Sequence, residues 1–267
     1  MMLCGKYGAV FLISWQRELE YRFNFVLGRL RNIVTMLLLY FVWVSLTEKT
    51  GTFAGYSRAE LITYVFGINI LRSLILGTQS KQVVVDINEG MFSAYLVMPM
   101  SHVLRAFFSE LAQRSISFLT AIAEVALFAL LLGVTFFVQR DGLLALLFLV
   151  SLAMAVALFF ALSYLISLLA FWSREALGPR FLFDWVLEFA SGAYFPLDIL
   201  PASVLALVKA LPFAGIMYLP LQIYLGRVGP GGAVTGILLQ LFWTGITSLI
   251  ILVAWKRGLR RYTGEGM

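Results

Sequence analysis

Apolar residues in this chain come in long runs, and polar residues gather between them. Six runs approach the ~20 residues a helix needs to cross hydrocarbon. They are Asn32 to Leu46, with a start a turn or two earlier through Gly28 to Arg31; Leu61 to Thr78; Ser115 to Phe137; Leu143 to Trp172; the shorter Phe181 to Phe195; and Ala233 to Trp255. The fourth is long enough for one tilted helix that projects beyond the hydrocarbon. Ahead of them, Phe11, Trp15, Leu19, Phe23 and Val26 recur at helical spacing opposite Gln16, Arg17, Glu18 and Glu20. That spacing predicts an amphipathic helix over 6–31 lying in the membrane interface.

The intervals differ in kind. "TEKTGTFAGYSRAE", Thr47 to Glu60, carries turn chemistry. Ser80 to Arg114 is too charged to cross a bilayer and reads as a long loop, 80–114. The interval 196–232 is entered through "SGAYFPLDILP", Ser191 to Pro201, which crowds Gly192, Pro196, Asp198 and Pro201 together. Its continuation, "LPASVLALVKALPFAGIMYLPLQIYLG", has Lys209 as its only charge. Irregular backbone at membrane depth survives only when buried in protein or lining a cavity. The prolines therefore predict a re-entrant pair of short helices, with Pro201 in the first turn of a helix through Ala210 and Pro212 and Pro220 punctuating the remainder of the interval.

Composition agrees with this pattern. Hydrophobic residues make up 61% and charged residues 13%, against about 25% charged in soluble chains, and mean hydropathy is +0.92. The fold class is an all-α polytopic membrane protein with six transmembrane helices. "AVFLIS" is too short for a cleaved signal and runs directly into "WQRELEYR". The net charge of +6 could point to nucleic acid, but fifteen of the 20 Lys and Arg residues fall on one side of the six-span topology. Short cytoplasmic loops hold such an excess, so both termini are expected in the cytoplasm and no nucleic-acid partner is implied. Trp15, Trp43, Trp172 and Trp255 fall near the expected interfaces, as aromatic belts do.

Candidate chemistry is sparse. Cys4 alone excludes a disulfide framework within one chain, and with the single His102 it leaves little for a metal. No phosphate-binding G-x-x-x-x-G-K-[ST] occurs, the only Gly-Lys being Gly5-Lys6. H-E-x-x-H and G-x-S-x-G are also absent, so neither a catalytic residue nor a bound cofactor is expected. His102, at a loop-to-helix junction, reads as a solvated interfacial residue. Charges inside a bilayer are expensive and commonly functional. Glu124, in mid-span, either lines a pathway or pairs with a polar group on a neighbouring helix such as Arg72. Asp184 and Glu188 share a helix face, and Arg180 one turn earlier favours an ion pair with Asp184 over a substrate or proton role.

The order of these parts resembles the membrane subunit of type 2 ATP-binding-cassette exporters, over essentially the whole chain. "SG", "FPLDILP", "LPF" and "YLPLQIYLG" are similar to that family's outer connector, carried by Ser191, Gly192, Phe195, Pro196, Pro201, Pro212 and Gly226. "DINEGMFSAYLVMPMS" resembles its coupling segment, with Gly90, Leu96 and Pro99. "LAFWSREALG" looks like the branch of small permeases often encoded beside a second permease and an ATPase. The resemblance implies a non-catalytic subunit that dimerises with itself or a sister permease in a bacterial inner membrane. It also implies that two cytoplasmic ATPase subunits, holding ATP and Mg, drive export. The coupling segment would span about Val84 to His102, with Phe92, Tyr95, Leu96 and Met98 as apolar anchors and Asp86 and Glu89 as rim charges. The connector would close the outer end of the pathway.

Two other classes are compatible with a polytopic chain. A secondary carrier would use Glu124, Asp184 or Glu188 as a proton relay and would be expected to contain internal repeats, which are not visible. A membrane-embedded lipid-modifying enzyme would need a catalytic constellation at one interface. No side chain names a substrate, although a short apolar outer loop suits an amphiphile such as a drug, lipid or glycolipid.

Overall fold

The structure is a computed structural model that describes residues 2–20, 22–48, 51–77 and 79–262. Helix α1 (Met2–Glu20) precedes α2 (Arg22–Thr47). A hairpin of β1 (Thr52–Phe53) and β2 (Tyr56–Ser57) leads to α3 (Arg58–Ile75). Then come α4 (Gln79–Asn88), the single turn α5 (Phe92–Leu96) and α6 (His102–Leu132), followed by α7 (Gly142–Ser167) and α8 (Leu177–Ala190). The short α9 (Ala202–Ala210) and α10 (Tyr218–Tyr224) precede α11 (Pro230–Leu259).

Helix boundaries follow local chemistry. Ser57 and Glu60 form a reciprocal capping box that starts α3, satisfying two backbone donors left open at the first turn. Gly133 ends α6 in the left-handed region. The Asp141 carboxylate accepts from the amides of Leu143 (2.8 Å) and Leu144 (3.3 Å) to start α7, and Pro230 opens α11.

Among the described residues, five helical segments are long and apolar enough to cross a membrane: Phe25–Thr47, Arg58–Asn88, His102–Leu132, Gly142–Phe171 and Pro230–Leu259. The second is central, with 71% of its most apolar window buried against 17% for the first, third and fifth. Its Leu61, Tyr64, Phe66 and Ile68 meet Leu158 and Phe159 of α7 and Met217 and Leu221 of the connector in the main core.

α7 and α11 run parallel. Leu144 packs by Ala233 where both begin, while Phe171, just beyond α7, meets Trp255 where α11 ends. The chain must therefore return across the bundle between them, and it does so through α8 and the connector. At ~1.5 Å per residue, 14-residue α8 is about 21 Å long, short of the ~30 Å hydrocarbon thickness.

Of the amphipathic helix expected over 6–31, residues 6–20 lie in α1 and 22–31 in α2, and Tyr21 between them lies outside the described residues. α1 packs on α6, with Ser14 Oγ 2.8 Å from Ser109 Oγ, and Tyr7 stacks on Phe108. Residues 80–114 are not a loop, because α4 covers the start and α6 the end, leaving 89–101 as the connection. Glu110 and Arg114 made this interval look too polar to be buried, yet they neutralise each other inside the bundle.

Candidate functional site

A carboxylate holds the connector against the start of α3. Asp198, in the turn between α8 and α9, accepts hydrogen bonds from the hydroxyls of Tyr56 and Tyr218, and Lys209 Nζ lies 3.7 Å away. Gln222 Nε2 donates to Tyr56 Oη at 2.5 Å, and the Arg227 guanidinium covers the Tyr56 ring at 3.6 Å. Burial, then the hydrogen bond to Asp198, pushes the Tyr56 phenol well above its ordinary range. Its proton stays in place, so it remains a donor. Below this cluster, Tyr64 Oη donates to the Gly192 carbonyl at 2.6 Å. Tyr64 lies seven residues into the bundle from Ser57, about 10 Å along α3, so the connector reaches well inside the bundle end.

Pro196 and Pro212 are buried, and Pro201 caps α9 as its position suggested. Tyr56→Phe should lower stability by about 1–3 kcal/mol, because the 1%-exposed Gln222 then loses its acceptor. Melting temperature in detergent reads the loss. Combining it with Asp198→Asn should cost less than the two single effects together, since both act on one network.

Mid-bundle acids all have basic partners. Glu124 pairs with Arg29 rather than Arg72, with Arg29 Nε 2.6 Å from its Oε1. Arg72 instead lies 3.3 Å from Glu188, which also accepts from the Tyr194 hydroxyl. Arg180 Nε donates to Asp184 at 3.1 Å, and Lys81 Nζ approaches the same carboxylate at 2.8 Å. Arg180 also donates to the Ser163 carbonyl at 2.6 Å and to Ser167 Oγ at 2.8 Å. Ser163 Oγ lies 3.0 Å from Ser80 Oγ, which donates to Glu110 at 2.8 Å. One polar chain thus joins α4, α6, α7 and α8.

The 89–101 connection has two faces. Phe92 is fully buried among Phe171, Trp255, Tyr262 and His102. Asp86 is also buried, 3.9 Å from Arg105. These positions correct the expected outward anchor at Phe92 and rim charge at Asp86. His102 is buried as well, its Nδ1 2.9 Å from Tyr164 Oη, because the aromatic cluster closes over it. Tyr95 is half-buried beneath the Arg105 guanidinium. Gly90 turns the chain at φ 76°, and its carbonyl accepts from Tyr262 Oη at 2.8 Å. Glu89, Leu96 and Pro99 face outward with Met91, Val97 and Met98, Val97 being 83% exposed.

Sequence reasoning missed Arg29, Glu110, Arg114, Tyr56, Tyr218 and Tyr262. The four-residue spacing of Glu110 and Arg114 was a usable signal for a pair on one helix. The others find partners 20 to 172 residues away, for which local sequence carries no signal.

Residues 33–266, most of the chain, match a family model described as "ABC-2 family transporter protein". No curated protein matches.

Proposed function

Because this chain belongs to the ABC-2 transporter family, whose members are multi-pass transport permeases generally working with ATPase partners, we propose that it is the permease subunit of an ATP-driven exporter. It moves an amphiphile out of the cytoplasm or inner leaflet across a bacterial inner membrane. Five long helices and the path through α8 and the connector make six crossings, with both termini in the cytoplasm. The connector dips back from the outer face and closes the pathway, and α1 lies along the inner interface. A second copy or a sister permease completes the membrane unit, and ATP and Mg are held on separate cytoplasmic subunits.

The carrying observation is the exposed apolar strip Met91, Leu96, Val97 and Met98 on the connection between α4 and α6. It lies at the bundle end where Lys and Arg are concentrated, and it is backed by the buried Phe92 cluster. Apolar side chains outside the lipid call for a protein cover, and a rigid backing suits a lever against an ATPase. A proton-relay carrier draws less support, since Glu124, Asp184 and Glu188 each have a basic partner.

The test is purification of the tagged protein from its native membrane in mild detergent, with ATPase activity measured on the eluate. Leu96→Asp with Val97→Asp should remove at least nine-tenths of that activity while the permease still elutes as a folded species. Phe92→Asp should instead reduce recovery of the permease itself. A wild-type eluate without a nucleotide-hydrolysing partner, under conditions that preserve membrane complexes, would count against the proposal.

A further inference from the structure

The ion pairs of α2, α3, α4 and α8 border a cavity of about 620 Å³. Arg29, Arg31, Arg72 and Lys81 contribute to its lining, while Phe159, Phe181 and Trp185 supply apolar wall. We propose that this cavity binds the anionic headgroup of an amphiphile, a phosphate or carboxylate on an apolar tail, with Arg72 as its principal ligand. The role of this site in transport rests on the permease reading above; the site itself rests on unequal satisfaction of donors and acceptors around the cavity.

The acids at the cavity are already engaged. Glu124 accepts from Arg29 through both oxygens, Asp184 lies between Arg180 and Lys81, and Glu188 meets Arg72 and Tyr194. Glu18, on the wall, is also in contact with a partner. On the cationic side, Arg72 Nη2 is buried without a hydrogen-bond partner among the described residues. Arg31 shares the wall and has no ion pair there among the described residues. Counting Arg180, the bases Arg29, Arg31, Arg72, Lys81 and Arg180 outnumber the acids Glu18, Glu124, Asp184 and Glu188 by one. A cationic ligand would find its carboxylates occupied, whereas an anion would find a guanidinium nitrogen without a hydrogen-bond partner.

Geometry favours the same chemistry. A guanidinium presents paired donors that match phosphate or carboxylate oxygens, and low polarity strengthens that attraction. The Arg72 guanidinium is positioned from below by Glu188 and lies 5.1 Å from the centre of the Tyr194 ring. Phe181 and Trp185 are exposed on α8 as well as lining the cavity, so an apolar tail can leave along that helix toward lipid. Charges retained inside a membrane-spanning bundle mark ligand pathways by default.

The experiment uses the full-length protein in phosphatidylcholine nanodiscs. Oleoyl lysophosphatidate and oleoyl lysophosphatidylcholine, which share a tail, are titrated while tryptophan emission is followed, Trp185 reporting from the wall. The lysophosphatidate should bind at least tenfold more tightly, and Arg72→Gln should remove most of that preference while Arg72→Lys keeps part of it. Competition by millimolar inorganic phosphate would assign the anion site to a soluble ligand; absence of competition would assign it to a membrane amphiphile. Equal affinities in the wild type would overturn the proposal without reference to any variant, as would a folded Arg72→Gln protein that retains the preference. Should Arg72→Gln not fold, Arg31→Gln at the exposed wall should lower the preference about threefold, and no change there would also overturn it. Binding on the isolated permease separates the two readings. Anion preference without a co-purifying ATPase would leave the site standing and remove the exporter assignment, whereas ATPase coupling without anion preference would remove only the site.

Discussion

Glu110→Ala is expected to destabilise the protein by about 3–5 kcal/mol, enough to abolish recovery of a monodisperse species from detergent. Glu110 is fully buried and Arg114 is 1% exposed, so deleting the carboxylate leaves a guanidinium inside the bundle with no counter-charge. The loss extends beyond one pair, because Ser80 Oγ also donates to Glu110, connecting α4 to α6. Close packing adds a constraint: Gly77 sits against the Glu110 carboxyl, and a Cβ there would overlap it. The diagnostic comparison is Glu110→Leu with Arg114→Met. Replacing both charges by apolar groups of similar size is commonly neutral or stabilising, so this double variant should melt higher than Glu110→Ala. A single variant as stable as the wild type by thermal denaturation and size-exclusion profile would show that the charge is not confined as described.

Gly192→Val is the second large effect, at about 2–5 kcal/mol. Gly192 has φ 81°, where a side chain costs of order 1–3 kcal/mol in strain. Its Cβ would also stand 2.8 Å from Tyr64 Oη and 3.2 Å from Tyr218 Cβ, and overpacking of this kind adds about 1–3 kcal/mol. The turn holds the connector against α3, so limited proteolysis should cut preferentially within 192–217. Adding Tyr64→Phe to Gly192→Ala removes the clashing oxygen and should restore the steric part. The backbone part should remain, and its size is read from the residual shift in melting temperature.

Much of the architecture was legible because membrane crossing leaves a strong local signature. The run from Ala233 falls within α11, those from Leu61, Ser115 and Leu143 start inside α3, α6 and α7 and continue past their ends, and Pro201 stands at the start of α9 as its fixed φ requires. The connector's two short helices were legible from the same prolines. The boundary missed within 80–114 has a physical cause. Glu110 with Arg114 in α6 looked too polar for a spanning helix. Their charges neutralise each other one turn apart inside the bundle.

The site followed the same division. Arg180 and Asp184, four apart on one helix, were paired from spacing alone. Glu124, Arg72 and Glu188 were also recognised as expensive charges, but the pairing of Glu124 with Arg29 and of Arg72 with Glu188 was not. Phe92 was expected to be a docking anchor because its segment resembles the family's coupling segment, yet Trp255 and Tyr262 return from the far end of the chain to cover it.

The sequence by itself therefore determined the class, the main helical segments and the family resemblance, because the cost of placing polar groups in lipid acts on each segment independently. Only the tertiary structure decided which charge neutralises which, which apolar residues stay exposed, and where the cavity lies. Those outcomes depend on distances between groups far apart in the chain, and in a low-dielectric interior a few ångströms determine whether a buried charge is satisfied or left available for a ligand.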